Sequence, residues 1–134
     1  MLLGQYSHTL DDKGRVTIPA KFRDVFFEGC VITRGWDHCL IIYTPEAFSQ
    51  LVLKARRSSP TAPSSRALLR VLLSGANDAK LDKLGRVNIP SFLRDYAGLE
   101  DEVVLAGVGD WIEIWNSDDW EGQLRQLTPR EQGA

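Results

Sequence analysis

Leu10-Asp11-Asp12-Lys13-Gly14-Arg15-Val16-Thr17-Ile18-Pro19 and Leu81-Asp82-Lys83-Leu84-Gly85-Arg86-Val87-Asn88-Ile89-Pro90 are two copies of one stretch, 71 positions apart. Extended outward, Gly4 to Asp24 aligns with Gly75 to Asp95, and 10 of these 21 positions are identical. The shared residues include Gly, Pro, Asp and Arg as well as apolar ones, so more than a core pattern was duplicated. Internal repetition of this kind points to one supersecondary unit used twice. Further on, Val31-Ile32-Thr33-Arg34-Gly35 meets Val103-Val104-Leu105-Ala106-Gly107 at an offset of 72, and Leu40-Ile41-Ile42-Tyr43 meets Ile112-Glu113-Ile114-Trp115. The change of offset falls between Asp24 and Val31, where a helix end and loop can absorb one residue.

Each copy predicts the same order of elements. Gln5 to Leu10 reads as a strand and Asp11 to Gly14 as a turn, with Asp accepting bonds from nearby amides and Gly tolerating positive φ. Val16-Thr17-Ile18 alternates as a half-buried strand does. Pro19 suits the first turn of a helix over Ala20 to Phe27. Cys30 to Thr33 and Cys39 to Tyr43 predict a hairpin, and Thr44-Pro45-Glu46 a helix start running to about Lys54. Arg56 to Ser65 reads as a linker, followed by a helix from about Arg66 to Leu73. The second copy then repeats strand, turn, strand, helix and hairpin, with a last helix opening at Asn116 to Asp119. The tail from Thr128 is expected to fray.

The 134 residues suit one domain or two small halves sharing a core. Hydrophobic content of 43% and charged content of 25% are ordinary for a globular chain. No apolar run reaches membrane-spanning length. Met1-Leu2-Leu3-Gly4-Gln5 lacks the basic and long apolar regions of a secretion signal, so a cytoplasmic protein is expected. Cys30 and Cys39 have no metal-ligand spacing and read as reduced core thiols, with a cross-strand disulfide left open.

The net charge of −2 hides an asymmetry. Residues 1–94 carry 14 of the 16 bases and 8 of the 18 acids, whereas residues 95–134 carry 2 bases and 10 acids. Within the repeats, Lys13, Arg15, Lys21 and Arg23, and then Lys83, Arg86 and Arg94, form stretches free of acids. Fields act over about 8–10 Å in physiological salt, so a basic face can sit on an acidic protein.

The residues of the duplicated turn admit two readings. One is a stabilised hairpin with a local Asp–Arg ion pair, for which Gly14 and Gly85 are structural. An exposed pair of that kind contributes only about 0–1 kcal/mol. The other places Arg15 and Arg86 on the rim of a hairpin facing a duplex, where Arg can bond the O6 and N7 edge of guanine. Asp11 and Asp82 would then orient the Arg side chains or tie the turn, and Thr17 and Asn88 would reach phosphate or a base edge. Other candidates are weaker. His8 and His38 have no cluster at metal-ligand spacing. Trp36, Trp111, Trp115 and Trp120 fill a core or a subunit interface more readily than they stack bases. Lys54, Arg56 and Arg57 suit a solvated helix C-terminus. No Gly-rich phosphate loop, nucleophile elbow or zinc-protease motif occurs; the expectation is a non-enzyme with no cofactor and no metal.

The stretch from Gly4 to Arg23 closely resembles the opening of the MraZ family. Arg66-Ala67-Leu68-Leu69-Arg70, Ser74-Gly75-Ala76 and Leu81 to Pro90 are similar to its second half. The resemblance implies an α+β fold of two AbrB/SpoVT-like β-hairpin/helix halves, related by pseudo-two-fold symmetry and sharing one core, of the double-psi or swapped-hairpin type. The halves would be residues 1–54 and 75–127, with a linker and helix at 55–74 and a flexible tail at 128–134. It further implies a bacterial, nucleoid-associated transcription regulator. Such a protein assembles as a ring homo-oligomer and binds direct repeats of double-stranded promoter DNA at the division and cell-wall gene cluster, usually repressing it. Carried over by position, the DNA-facing residues are Arg15 and Arg86, with Lys13, Lys83, Asp11 and Asp82 around them. The residues themselves add Lys21, Arg23 and Arg94 to the expected basic face, with Thr17 and Asn88 as polar contacts beside the arginines. Two other classes stay open: an AbrB-like antitoxin, which needs a longer partner-wrapping tail than the last seven or so residues offer, and an assembly protein that binds no DNA.

Overall fold

A computed structural model describes residues 1–57 and 63–127. In chain order the strands are β1 (Leu2–Thr9), β2 (Arg15–Thr17), β3 (Cys30–Arg34), β4 (Leu40–Tyr43), β5 (Asn77–Ala79), β6 (Arg86–Asn88), β7 (Glu102–Gly109) and β8 (Ile112–Asn116). The helices are α1 (Ala20–Arg23), α2 (Pro45–Arg57), α3 (Pro63–Ser74), α4 (Ser91–Ala97) and α5 (Ser117–Leu127). The fold is α+β, and the expected order of elements is present in both copies.

The halves are joined by exchange of strands. β1 of the first copy lies antiparallel along β7 of the second, from Leu2 opposite Gly109 to Thr9 opposite Glu102. β5, the shorter counterpart of β1, lies on β3 of the first copy. The six-stranded sheet therefore runs β1-β7-β8-β4-β3-β5, with the two hairpins meeting at β4 and β8. β2 and β6 pair only with each other, forming a separate two-stranded ribbon.

This corrects the hairpin reading of the duplicated turn. The chain does reverse at Asp11–Gly14, where Gly14 N–H donates to the Asp11 carbonyl at 3.0 Å and Asp11 N–H to the Arg15 carbonyl at 2.9 Å. No ladder follows, because β1 leaves for β7 and β2 leaves for β6. The register shows the pseudo-two-fold directly. Val16 stands opposite Val87, its own counterpart, and Ile41 stands opposite Glu113, again its counterpart.

Burial explains the arrangement. The inner face of the ribbon supplies Val16 and Val87, followed by Ile18 and Ile89, all at 1% exposure or less. They pack with Phe22, Leu93, Ile32, Leu40, Ile42, Leu105, Ile112 and Ile114 in one core drawn from both copies. Strand β4 is buried on both faces, which accounts for its unbroken apolar run. Leu40 and Ile42 face the main core, whereas Ile41 and Tyr43 join Cys39 and Trp115 under α2 and α5. Thr44 caps α2 through its hydroxyl, which accepts from Ala47 N–H at 3.1 Å. Asn116 does the same for α5, accepting from Asp118 N–H at 2.8 Å.

The first helix is shorter than expected. α1 ends at Arg23 and tightens into one 3₁₀ turn at Asp24–Phe26, with Pro19 just outside it as cap. Its counterpart α4 runs seven residues and stops at Gly98, whose φ of 60° is left-handed. This difference lies where the repeat offset changes. α2 extends to Arg57, and α3 starts at Pro63, so the linker is shorter than Arg56 to Ser65; its remaining residues and the tail from Thr128 lie outside the described residues. Cys30 and Cys39 are free and buried, and burial raises their thiols to about 11 and about 12. No helix among the described residues is long and apolar enough to cross a membrane.

Candidate nucleic-acid interface

The outer face of the ribbon collects the polar residues of both copies. Because side chains alternate along a strand, burial of Val16 and Val87 turns Arg15, Thr17, Arg86 and Asn88 to the other side. The register sets Arg15 opposite Asn88 and Thr17 opposite Arg86. The residues alone placed these four on turns and solvent-side positions of a hairpin; the ribbon that unites them across the two copies fits the swapped-hairpin type that the resemblance implied.

Each turn is built around its Asp. Asp11 Oδ1 accepts from the backbone N–H of Lys13 at 2.9 Å and of Arg15 at 2.8 Å, while Oδ2 accepts from Arg15 Nε at 2.8 Å. Asp82 repeats the pattern with Leu84 N–H, Arg86 N–H and Arg86 Nε at 2.9, 2.9 and 2.8 Å. One carboxylate thus ties the turn and fixes the start of its arginine side chain. A guanidinium has five N–H donors. With Nε held, the four Nη donors of Arg15 and of Arg86 have no partner among the described residues. The arginine side chains are 31% and 29% exposed, so each is partly accessible to solvent.

The same contacts set the ionisation of the aspartates. The backbone N–H of Arg15 is foremost in holding Asp11 below its ordinary value of 3.8, and partial desolvation opposes it. The backbone N–H of Arg86 does the same for Asp82. Each folded value lies below the unfolded one. The carboxylate's contribution is therefore complete above 3.8 and is lost as pH falls through the lower folded value.

Arg23 and Arg94, expected on the basic face by charge alone, have a bracing geometry. Arg23 Nε donates to the Ile18 carbonyl, and Arg94 Nε to the Ile89 carbonyl, both at 2.9 Å. Each guanidinium then lies across the turn of the opposite copy: Arg94 over Gly14 and Arg23 over Gly85. A Cβ at Gly14 would sit 2.9 Å from Arg94 Cζ, and φ is 80° there and 77° at Gly85. Glycine is needed for conformation and for space together. The paired identity of Arg23 with Arg94 and of Gly14 with Gly85 is the sequence signal for this brace.

The remaining predicted residues divide. Lys13 and Lys83 are exposed on the turn tips. Lys21 is exposed on α1, with its ammonium 5.9 Å from the centre of the Tyr6 ring. Asn88 Nδ2 reaches across the ribbon to the Lys13 carbonyl at 3.0 Å, a tie between copies that sequence reasoning missed. Of the tryptophans, Trp115 is core, Trp111 and Trp120 flank it half-buried, and Trp36 is 67% exposed.

A family model described as "MraZ protein, putative antitoxin-like" matches the chain twice, over residues 1–71 and 72–133. The chain belongs to the MraZ family. The double match agrees with the duplicated turn. Among MraZ relatives, "Transcriptional regulator MraZ" of Halothermothrix orenii is 44% identical over 124 residues, covering 92% of this chain and 87% of its own. The proteins of the same name from Natranaerobius thermophilus and Moorella thermoacetica are 43% and 42% identical. They cover 94% and 96% of this chain and 88% and 90% of their own lengths.

Proposed function

We propose that this chain is a sequence-specific DNA-binding regulator of transcription, with the outer face of the β2–β6 ribbon as the surface that meets the duplex. The observation that carries the reading is the pair of equivalent guanidinium groups, each anchored through Nε by its own Asp and open at both Nη. A two-stranded ribbon fits the major groove, and a guanidinium presented this way can donate two bonds to O6 and N7 of guanine. Anchoring matters because a side chain already held in place loses less freedom on binding. Lys83 and Lys21 supply positive charge for phosphates around that contact, and Lys13 adds to the positive field of the turn tips. Thr17 and Asn88 lie between the arginines, where they reach base edges or sugar–phosphate oxygens.

One chain offers one pair of turns. Closed head-to-tail assembly would produce a ring and repeat the pair at fixed spacing. Exposed apolar side chains support such an interface: Leu68 and Val71 of α3 are 51% and 56% exposed and line one surface cavity with exposed Trp36. With several boxes on one promoter, avidity adds about 10²–10⁴ to single-site affinity. Occupation of direct repeats at the division and cell-wall cluster would then block transcription, which makes repression the expected outcome. A retardation assay on DNA upstream of the chain's own reading frame tests the reading. The parent should shift that fragment in preference to unrelated DNA, and Arg15→Ala and Arg86→Ala should each weaken the shift. Equal shifts for parent and both variants would exclude the ribbon face.

A further inference from the structure

The pseudo-two-fold of the ribbon breaks at its turn tips. The first tip is Asp12-Lys13; the second, in the same two positions, is Lys83-Leu84. All four side chains are exposed, and Leu84 is 63% so. The backbones match, with glycine φ values of 80° and 77° and the same bonds to the aspartate. The tips therefore differ in chemistry while sharing a shape. A second asymmetry accompanies the first. Asn88 ties β6 to the first tip through the Lys13 carbonyl, whereas its counterpart Thr17 makes no side-chain hydrogen bond among the described residues. A single exposed leucine needs no explanation on an ordinary surface. Leu84 differs in its place, held out at a turn tip two residues before Arg86.

We propose that the two tips read a duplex unequally, Leu84 against a thymine methyl and Lys13 with Asp12 against a G·C pair, so that each chain sits on its box in one orientation. The inference rests on the DNA-binding reading above. In the major groove, guanine offers acceptors to Lys13, the cytosine amine offers a donor to Asp12, and the C5-methyl of thymine offers apolar surface to Leu84. The local charges sort the tips the same way. Lys83 shares its tip with Leu84 rather than with a second acid, the preceding Asp82 being held by the turn amides and Arg86, and it suits a phosphate, drawing Leu84 down into the groove. Asp12, in the same position of the first tip, is repelled by phosphate and suits only a base edge. A box read this way is not palindromic.

Deoxyuridine scanning tests this, because uracil lacks only the methyl of thymine. A preferred duplex is selected from a random pool with the full-length protein, and each thymine is then replaced singly. At one thymine, in one half of the box, affinity should fall about fourfold, the worth of one buried methyl group. The same replacement should have no effect on Leu84→Ala, an exposed substitution that leaves the core untouched. Binding that is insensitive to every replacement overturns the inference and leaves the DNA-binding reading standing. So does a loss that persists in Leu84→Ala, equal losses in both halves, or a selected box without thymine. Failure to select any duplex overturns both.

Discussion

At the scale of single residues, Asp11 and Asp82 decide the geometry. Each carboxylate holds two backbone amides and one Nε, and so converts a flexible arginine into a fixed donor set. Arg15→Ala or Arg86→Ala should cost about 1–3 kcal/mol of specific DNA binding per contact, with unchanged circular dichroism, as titration against the selected duplex will show. Gly14 is constrained twice, by φ of 80° and by Arg94 lying 2.9 Å from any added Cβ. Gly14→Ala should therefore lower stability by about 1–3 kcal/mol, measured by chemical denaturation, and Arg94→Ala should relieve part of that loss by making room. Turn and motif were legible here because Gly, Pro and Asp act locally. The roles of Arg23 and Arg94 were not, since charge does not reveal whether a guanidinium meets a carbonyl in its own protein or a phosphate outside it.

At the scale of elements, exchange of strands is the organising fact. The short apolar segments and their alternation identified β2, β3, β4 and β6, and capping by Thr44 and Asn116 marked the starts of α2 and α5. The partners of those strands were not legible. Val16 and Ile18 bury the same surface whether β2 pairs with β1 beside it or with β6 some seventy residues away, so periodicity cannot distinguish the pairings. The structure chooses the distant ones. It follows that residues 1–57 alone should not form a folded monomer, because β1 loses β7, β2 loses β6, and half the core is missing. Amide exchange on this fragment at low concentration should show no protected strand. Protection in a monomer would contradict the exchanged pairing.

At the scale of the whole molecule, a near-neutral chain carries a basic ribbon face and an acidic second half, so net charge is a poor guide to its partner. Opposite fields also favour association between copies. Trp115 cannot contribute to such an interface, since only 4% of it is exposed. The exposed face of α3 is the better candidate. Replacing both Leu68 and Val71 by Asp should leave the core intact and shift light scattering towards a monomer, with the preference for several boxes over one box lost together with assembly. The central claim is that both anchored arginines face the duplex amid basic neighbours. Its most direct test is the salt dependence of affinity for a promoter duplex, measured for the parent and for the Arg15→Ala, Arg86→Ala double variant. The parent's log–log plot should fall steeply, by about 0.9 for each phosphate neutralised, while the double variant retains only weak binding without preference for the specific duplex. A flat plot for the parent, or a double variant as tight and selective as the parent, would contradict the account.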